Sequence, residues 1–381
     1  MLKTPTITNE LTNKHLDVSS EQYIERLDSV TTTDVEKQLS DAPGKYSLAR
    51  LLTLTSPAAE NFLEQMAQQA RDLTLQRFGR TIQLYAPLYV SNRCVSSCKY
   101  CGYNISSGFT PTQLTIDQAV ADAEVIASEG FRNLLLVSGH DTEFVTIDYL
   151  TELASRLRDK FASITIEIYQ LDQSQYKQLF DAGIDGVTLY QETYNRDMFA
   201  YYHPRGPKSD YEFRLSAHDA TASAGMRRLG LGFLLGLYDW RLETLAMAEH
   251  AAYLMKHYWR SQVSFSFPRM RPAINVAEQY KHLVSDKQLV QMMLALRLCF
   301  ADAGIVLSTR ESAQFRDNMI NICVTQLSAG SKTNPGGYSS NTDSAEQFQI
   351  DDDRTPTQIA QVIKKAGRET VWKDWDKSFT A

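Results

Sequence analysis

The chain has 381 residues, 43% hydrophobic and 22% charged, with a formal charge of −6 at pH 7. That length gives one large domain or two smaller ones ample material for a core, and the acidic balance without any basic block excludes nucleic acid as a main partner. The N-terminus lacks an apolar targeting segment and no run of about 18 apolar residues occurs, so no membrane association and a cytoplasmic location are expected.

Residues 1 to about 80 are polar and read as helical, with Ala, Leu, Phe and Met at helical intervals over Ser56–Phe78. From about residue 82 the pattern becomes an alternation of strands and helices. Runs rich in Val, Ile, Leu, Tyr and Phe, as in strands buried on both faces, mark Ile82–Ser91, Asn133–Gly139, Ile164–Leu171 and Gly186–Thr193. Four more follow at Leu229–Leu237, Gln262–Met270, Gly304–Glu311 and Ile322–Ser331. Helical periodicity fills Thr115–Ser128, Asp148–Phe161, Ser174–Ala182, Asp210–Ala224, Arg241–His257 and Asp286–Ala303. Gly130, Gly183, Gly225 and Gly304 stand at helix ends, where a left-handed C-cap is expected. Eight strands with intervening helices predict an α/β fold, a (β/α)8 TIM-type barrel. An N-terminal helical extension would occupy 1–80, the barrel 81–340, and a short C-terminal tail packed on the barrel 341–381.

Three cysteines follow the first predicted strand: Cys94, Cys98 and Cys101, spaced C-x3-C-x2-C. In a barrel this loop lies at the C-terminal face, where active sites are built. Three thiolates can hold three irons of a cubane cluster and leave the fourth open to a small molecule. A structural zinc site wants four ligands, usually in two pairs, yet Cys299 and Cys323 stand alone in apolar segments as core fillers. A disulfide framework does not suit five cysteines in a chain of this size without a secretory signal. A non-catalytic iron–sulfur or zinc protein is the alternative reading. Gly230-Leu231-Gly232 has the wrong spacing for a dinucleotide fingerprint, and Gly330-Ser331-Lys332-Thr333 lacks the ending of a phosphate loop. Asp351-Asp352-Asp353 reads as a solvated turn or helix start.

The triplet, with Tyr100 before its last cysteine, resembles the signature of radical S-adenosylmethionine enzymes. Leu134–His140, Tyr190–Tyr194, Ser266–Pro272, Leu307–Glu311 and Ser328–Tyr338 resemble the aromatic amino-acid lyase branch of that superfamily, and the closing Val371–Asp376 resembles the end of the 2-iminoacetate synthases. The resemblance implies a 4Fe-4S cluster on Cys94, Cys98 and Cys101, with S-adenosylmethionine chelating the open iron. It further implies a 5′-deoxyadenosyl radical that takes a hydrogen from the amino group of L-tyrosine, so that the Cα–Cβ bond splits into 2-iminoacetate (dehydroglycine) and p-cresol for the thiazole of thiamine. A low-potential electron donor such as flavodoxin or ferredoxin, and thiazole synthase as recipient, are implied partners. Hydrogenase-maturation tyrosine lyases share most of these segments but carry a further C-x2-C pair, which this sequence lacks; tryptophan as substrate stays open.

By the same resemblance, Tyr100 flanks the adenine, and Ser138, Gly139 and His140 meet the S-adenosylmethionine amino group through backbone carbonyls, although an ordinary βα turn would also want Gly there. Glu167 lies in the apolar run Ile166-Glu167-Ile168-Tyr169, where a carboxylate needs a partner; the family uses this position for S-adenosylmethionine, and a barrel-interior ion pair is the alternative. Arg214 is a candidate for the methionine carboxylate, against the usual fate of a helix arginine at the surface. Arg310 matches the arginine that binds substrate carboxylate, and Ser308, two residues earlier, faces the same side of its strand; a structural pairing of Arg310 with Glu311 is the alternative. The Gly330–Gly337 loop is expected to close the substrate cavity, with phosphate binding as its rival. Trp372 and Trp375 are expected to pin the tail to the barrel.

Overall fold

A computed structural model describes residues 6–273, 276, 278–340 and 344–373. Eight parallel strands close into a barrel: β1 (Thr81–Ser91), β2 (Asn133–Ser138), β3 (Ser163–Glu167), β4 (Gly186–Thr188), β5 (Arg228–Gly232), β6 (Gln262–Ser266), β7 (Gly304–Leu307) and β8 (Gln326–Ser328). Each pairs with the next, and β1 pairs with both β8 and β2, which completes the ring. Seven of the eight are shorter than their apolar runs suggest. The surplus residues at their C-terminal ends form the mouth, with only isolated bridges such as Glu192–Phe233 and Leu235–Arg269 continuing the pairing.

The strands are not apolar on both faces. Their outward positions are aliphatic and buried against the helices, as with Ile82, Leu84, Ala86 and Leu88 of β1 and Ile164 and Ile166 of β3. Their inward positions are largely polar or aromatic, as with Gln83, Tyr85 and Tyr89 of β1, Thr165 and Glu167 of β3 and Ser264 and Ser266 of β6, joined by the aliphatic Leu135 and Val306. The period of two residues along a strand sorts the two sets, so the hydrophobic core lies between barrel and helices rather than inside the ring. Glycines on β5 make room within: a Cβ on Gly230 would reach Thr188 at 2.6 Å, and one on Gly232 would reach the Tyr190 ring at 2.6 Å. Gly130, Gly183 and Gly225 adopt φ of 104°, 114° and 101°, as helix ends require. Gly304 does not. It begins β7, and it is small because a Cβ would stand 2.9 Å from the Ser264 side chain on the neighbouring strand.

Helices Ile7–Asn13, Glu21–Ser29, Thr32–Ser40, Leu48–Leu54 and Leu63–Phe78 form the N-terminal extension. They pack on the flank of the barrel against helices Trp240–His257 and Asp286–Cys299, with Lys14 and Tyr46 both bonded to the Glu249 carboxylate at 2.6 and 2.8 Å. Phe78 reaches the barrel's N-terminal opening. Cys299 and Cys323 are buried in the core. At the other end of the chain, helix Pro356–Lys365 leads to a ninth strand, β9 (Glu369–Val371), which extends β1 at Thr81–Gln83. Trp372 packs edge-on against Phe131 with ring centres 5.4 Å apart; Trp375 lies outside the described residues. Among the described residues no helix is long and apolar enough to cross a membrane.

The acidic run is solvated at Asp351 and Asp353 but not at its centre. Asp352 is buried and takes hydrogen bonds from Arg316 and Arg354, while Asp351 pairs with Arg271 at 2.8 Å. Arg316 in turn donates to the Ser328 carbonyl at the end of β8, so this network ties the C-terminal segment to the barrel mouth. Removing one member of a buried ion pair leaves a charge without compensation. Asp352→Ala is therefore expected to destabilise the chain by about 3–5 kcal/mol, read from the denaturant midpoint; a loss under about 1 kcal/mol would contradict a buried structural role.

Candidate active site at the barrel mouth

The loop after β1 is held on both sides by backbone hydrogen bonds. On one side Val95 N donates to His140 O at 3.1 Å, and His140 N donates to Cys94 Sγ at 3.4 Å. On the other, Ser97 N donates to Arg205 O and Lys99 N to Tyr202 O, both at 3.1 Å. Two glycines permit this approach. A Cβ on Gly139 would overlap the Arg93 carbonyl oxygen, and one on Gly206, at φ 98°, would stand 2.7 Å from Ser96 Cα. Arg93 bonds Asp141 at 2.7 Å across the same junction.

Cys94, Cys98 and Cys101 thus gather on one tethered loop. Burial raises the Cys98 thiol, and burial together with the neighbouring Cys98 and Cys94 pushes Cys101 up to about 12. Thiols so close resist becoming anions together unless a cation joins them, and a metal supplies that charge. Three soft thiolates on one loop, with no fourth ligand spaced beside them in the sequence, match a cubane, which spreads its thiolates over separate irons. The donor set fits a cluster better than zinc.

Tyr100 is fixed beside the loop. Its hydroxyl is 2.7 Å from His203 Nε2, and His203 Nδ1 is 2.8 Å from the Phe199 carbonyl. A carbonyl only accepts, so Nδ1 carries the proton and Nε2 accepts from Tyr100. Burial, with Lys208 nearby, holds His203 down to about 3 and therefore neutral. Of the β2 residues, Ser138 Oγ donates to the Gly139 carbonyl at 2.8 Å, and the His140 ring, lowered to about 4 by burial, stacks on Tyr169 at 4.9 Å. The Gly139 and His140 carbonyls each already accept one hydrogen bond and keep a second lone pair.

Arg214 is not at the surface. It is buried, donating to the Tyr190 carbonyl at 2.7 Å and to Gln170 and Glu192 at 3.4 Å. Glu192, which the sequence reading did not single out, is the hub of this group. It is buried at φ 69°, an uncommon left-handed setting for a side chain other than glycine's, and Lys208 Nζ lies 2.6 Å from its carboxylate. Burial pushes Glu192 up, but Lys208 and Arg214 hold it below the usual range. No local pattern in the sequence marks such a backbone; only the pairing with Lys208 and Arg214 reveals it.

A cavity of about 60 Å³ opens between these loops, lined by Tyr89, Glu167, Tyr190, Ser308, Arg310 and Phe348 among others. Ser331 and Thr333 of the Gly-rich loop also face it. Arg310 does not pair with Glu311, which bonds Arg269 instead, with Nε to Oε1 at 3.0 Å. Its guanidinium has no ion-pair partner among the described residues and one protein acceptor, the Arg269 carbonyl at 3.3 Å. Ser308 Oγ accepts from the Arg310 backbone N–H at 3.4 Å. Glu167 likewise forms no close ion pair; burial raises it to about 7, against the pull of Arg310. A larger cavity of about 300 Å³ fills the lower barrel and shares Tyr85, Leu135, Tyr190, Ser266 and Val306 with the upper one. It is lined by none of the candidate residues, whereas Glu167, Ser308 and Arg310 line the upper one.

A raised folded-state pKa means that the folded chain keeps its proton to higher pH than the unfolded one. Glu167's contribution to stability is complete below about 4.5 and is lost as pH climbs through about 7. In the ligand-free protein, Glu167→Gln should remove a stability loss of roughly 3 kcal/mol between these limits. Denaturant unfolding of both proteins from pH 5 to 8 measures it; parallel curves would assign the titration to another group.

Residues 88–251 match the Radical SAM superfamily, and residues 266–369 the Biotin and Thiamin Synthesis associated domain. Over 352 residues the chain is 40% identical to the 2-iminoacetate synthase of Escherichia coli (strain K12), covering 92% of this chain and 93% of that relative. It is 41% identical, with the same coverage, to the 2-iminoacetate synthase of Salmonella typhimurium (strain LT2). Among solved structures, HydG, a maturase of the FeFe-hydrogenase, aligns with a TM-score of 0.90 at 31% identity, over 96% of this chain and 81% of that one. Similarity sustained across nearly the whole length, through the cysteine loop and the barrel mouth alike, means that this chain belongs to the 2-iminoacetate synthase family of radical S-adenosylmethionine enzymes.

Proposed function

We propose that the chain is a radical tyrosine lyase that cleaves the Cα–Cβ bond of L-tyrosine to 2-iminoacetate and p-cresol, providing the two-carbon unit for the thiamine thiazole. The observation that carries this reading is the half-buried Arg310 guanidinium, without an ion-pair partner among the described residues, lining the cavity at the barrel mouth. A planar fork of N–H donors in a low-dielectric cavity suits an amino-acid carboxylate.

Cys94, Cys98 and Cys101 would hold a 4Fe-4S cluster. Tyr100, Ser138, Gly139, His140, Glu167 and Arg214 would surround S-adenosylmethionine, joined by Glu192 and Lys208. When bound, the cluster and S-adenosylmethionine supply one low-potential electron and a 5′-deoxyadenosyl radical able to take hydrogen from the substrate amino group. The protein's share is to bind, orient and exclude water. Burial keeps Tyr100 neutral, and its hydrogen bond to His203 fixes its orientation. Glu167, poised near neutrality, can take up or release a proton beside a cationic ligand. Arg310 sets the carboxylate, and with it the distance from the amino group to the reacting centre. Ser308 holds the Arg310 backbone by accepting from its N–H.

Cys299 and Cys323, the two remaining cysteines, are buried in the core. A flavodoxin or ferredoxin would deliver the electron and thiazole synthase would receive the imine, which hydrolyses readily in water. Reducing conditions in the cytoplasm suit the free thiolates.

The test is anaerobic reconstitution with iron and sulfide, followed by reductant, S-adenosylmethionine and tyrosine. p-Cresol and 5′-deoxyadenosine are expected; indole-type products from tryptophan, or zinc bound without sulfide, would refute the proposal. Replacing any of the three cysteines by Ala should abolish both products. Arg310→Gln should lower kcat/KM for tyrosine about 100-fold, the loss of a charge-assisted bidentate contact, while 5′-deoxyadenosine still forms.

A further inference from the structure

We infer that Phe348, on the segment Ser344–Asp353 that crosses the barrel mouth, is a positioning residue for the substrate carboxylate and acts through Arg310. The inference rests on the lyase reading above and adds to it a wall of the site supplied by the C-terminal part of the chain.

The Arg310 guanidinium carbon lies 3.4 Å from the centre of the Phe348 ring, a close cation–π contact. Stacking occupies one flat face of the guanidinium, and the Arg269 carbonyl takes one N–H at its edge. The remaining edge donors have no protein acceptor among the described residues, and Arg310 lines the cavity. An arginine side chain has many rotamers. Here a ring on one face and a carbonyl at one edge select a single orientation, in the plane a carboxylate would share.

Phe348 is itself held in place. Its carbonyl accepts from Thr333 Oγ1 at 3.1 Å, and the preceding Gln347 N donates to the Thr333 carbonyl at 3.0 Å. Gln347 Oε1 accepts the Tyr89 hydroxyl at 2.7 Å, and the Ala345 carbonyl accepts from Asn92 Nδ2 at 3.2 Å and Tyr103 Oη at 3.4 Å. Beyond Phe348, Asp351 N donates to the Thr309 carbonyl at 2.9 Å. The segment is thus anchored to the cysteine loop, to β1, to the Gly-rich loop and to the end of β7, with Phe348 between these anchors. Such anchoring is needed if a ring is to fix a neighbour's orientation rather than follow it.

The test measures binding without turnover. The reconstituted chain is mixed with S-adenosylmethionine and no reductant, and equilibrium dialysis measures radiolabelled tyrosine and tyramine, which lacks the carboxylate. Phe348→Ala and Phe348→Leu should weaken tyrosine about tenfold and tyramine less than twofold, whereas Phe348→Trp should retain tyrosine affinity. Iron content and circular dichroism identify a variant that fails to fold, in which case Phe348→Leu, the smaller change, decides. Equal weakening of both ligands, or none of either, would overturn the inference while leaving the lyase reading intact. Wild-type protein that binds no tyrosine would overturn both.

Discussion

The barrel works because its strands keep two kinds of side chain apart. Apolar residues point outward to the helices, where Ile82, Leu84, Ile164, Leu229 and Phe265 join one continuous core. Polar and aromatic residues point inward, where Tyr85, Glu167, Tyr190 and Ser266 surround space rather than packing it solid. Stability comes from the outer interface, at about 25 cal/mol for each Å² of apolar surface removed from water. The interior is thereby free to hold the half-buried Glu167 carboxylate and Arg310 guanidinium, which a close-packed apolar core would not accept.

Upon that frame the mouth is assembled from segments far apart in the chain. The cysteine loop is bonded to the end of β2 at His140 and to residues 202–205 after β4. The segment Ser344–Asp353 returns across the top and is tied down by the buried Asp352–Arg316 pair. These tethers give the site two charged zones. One is Glu192 with Lys208 and Arg214 beside Tyr100; the other is Arg310 facing Glu167, with Phe348 behind it. The first is internally paired, while the second lacks close ion pairs among the described residues.

The backbone at Glu192 belongs to the same economy. A left-handed glutamate costs on the order of 1–3 kcal/mol, yet its carboxylate is gripped by Lys208 and reached by Arg214. Two cations holding one buried anion offset that strain and aim the Tyr190–Thr193 turn at the cysteine loop. Likewise the short Gly139 and Gly206 approaches let three loops meet with little free volume between them. Such a closed mouth suits chemistry in which a reactive radical must meet one bond and no water.

Much of this was determined by the sequence alone. Strand and helix order, and hence the barrel, followed from apolar runs alternating with helical periodicity, because those patterns are local. The cysteine triplet suggested a cluster through spacing, since three thiols on one loop need no tertiary contact to be recognised. The tertiary structure decided what depends on distant partners. Asp352 looked solvated until Arg316 and Arg354 closed on it, Arg214 was a ligand candidate whose contacts with Glu192 and the Tyr190 carbonyl no local pattern showed, and Gly304 looked like a helix cap until Ser264 stood beside it. Phe348 carried no signal at all in its neighbourhood, because its role comes from a guanidinium 38 residues away that only the folded chain brings against its ring.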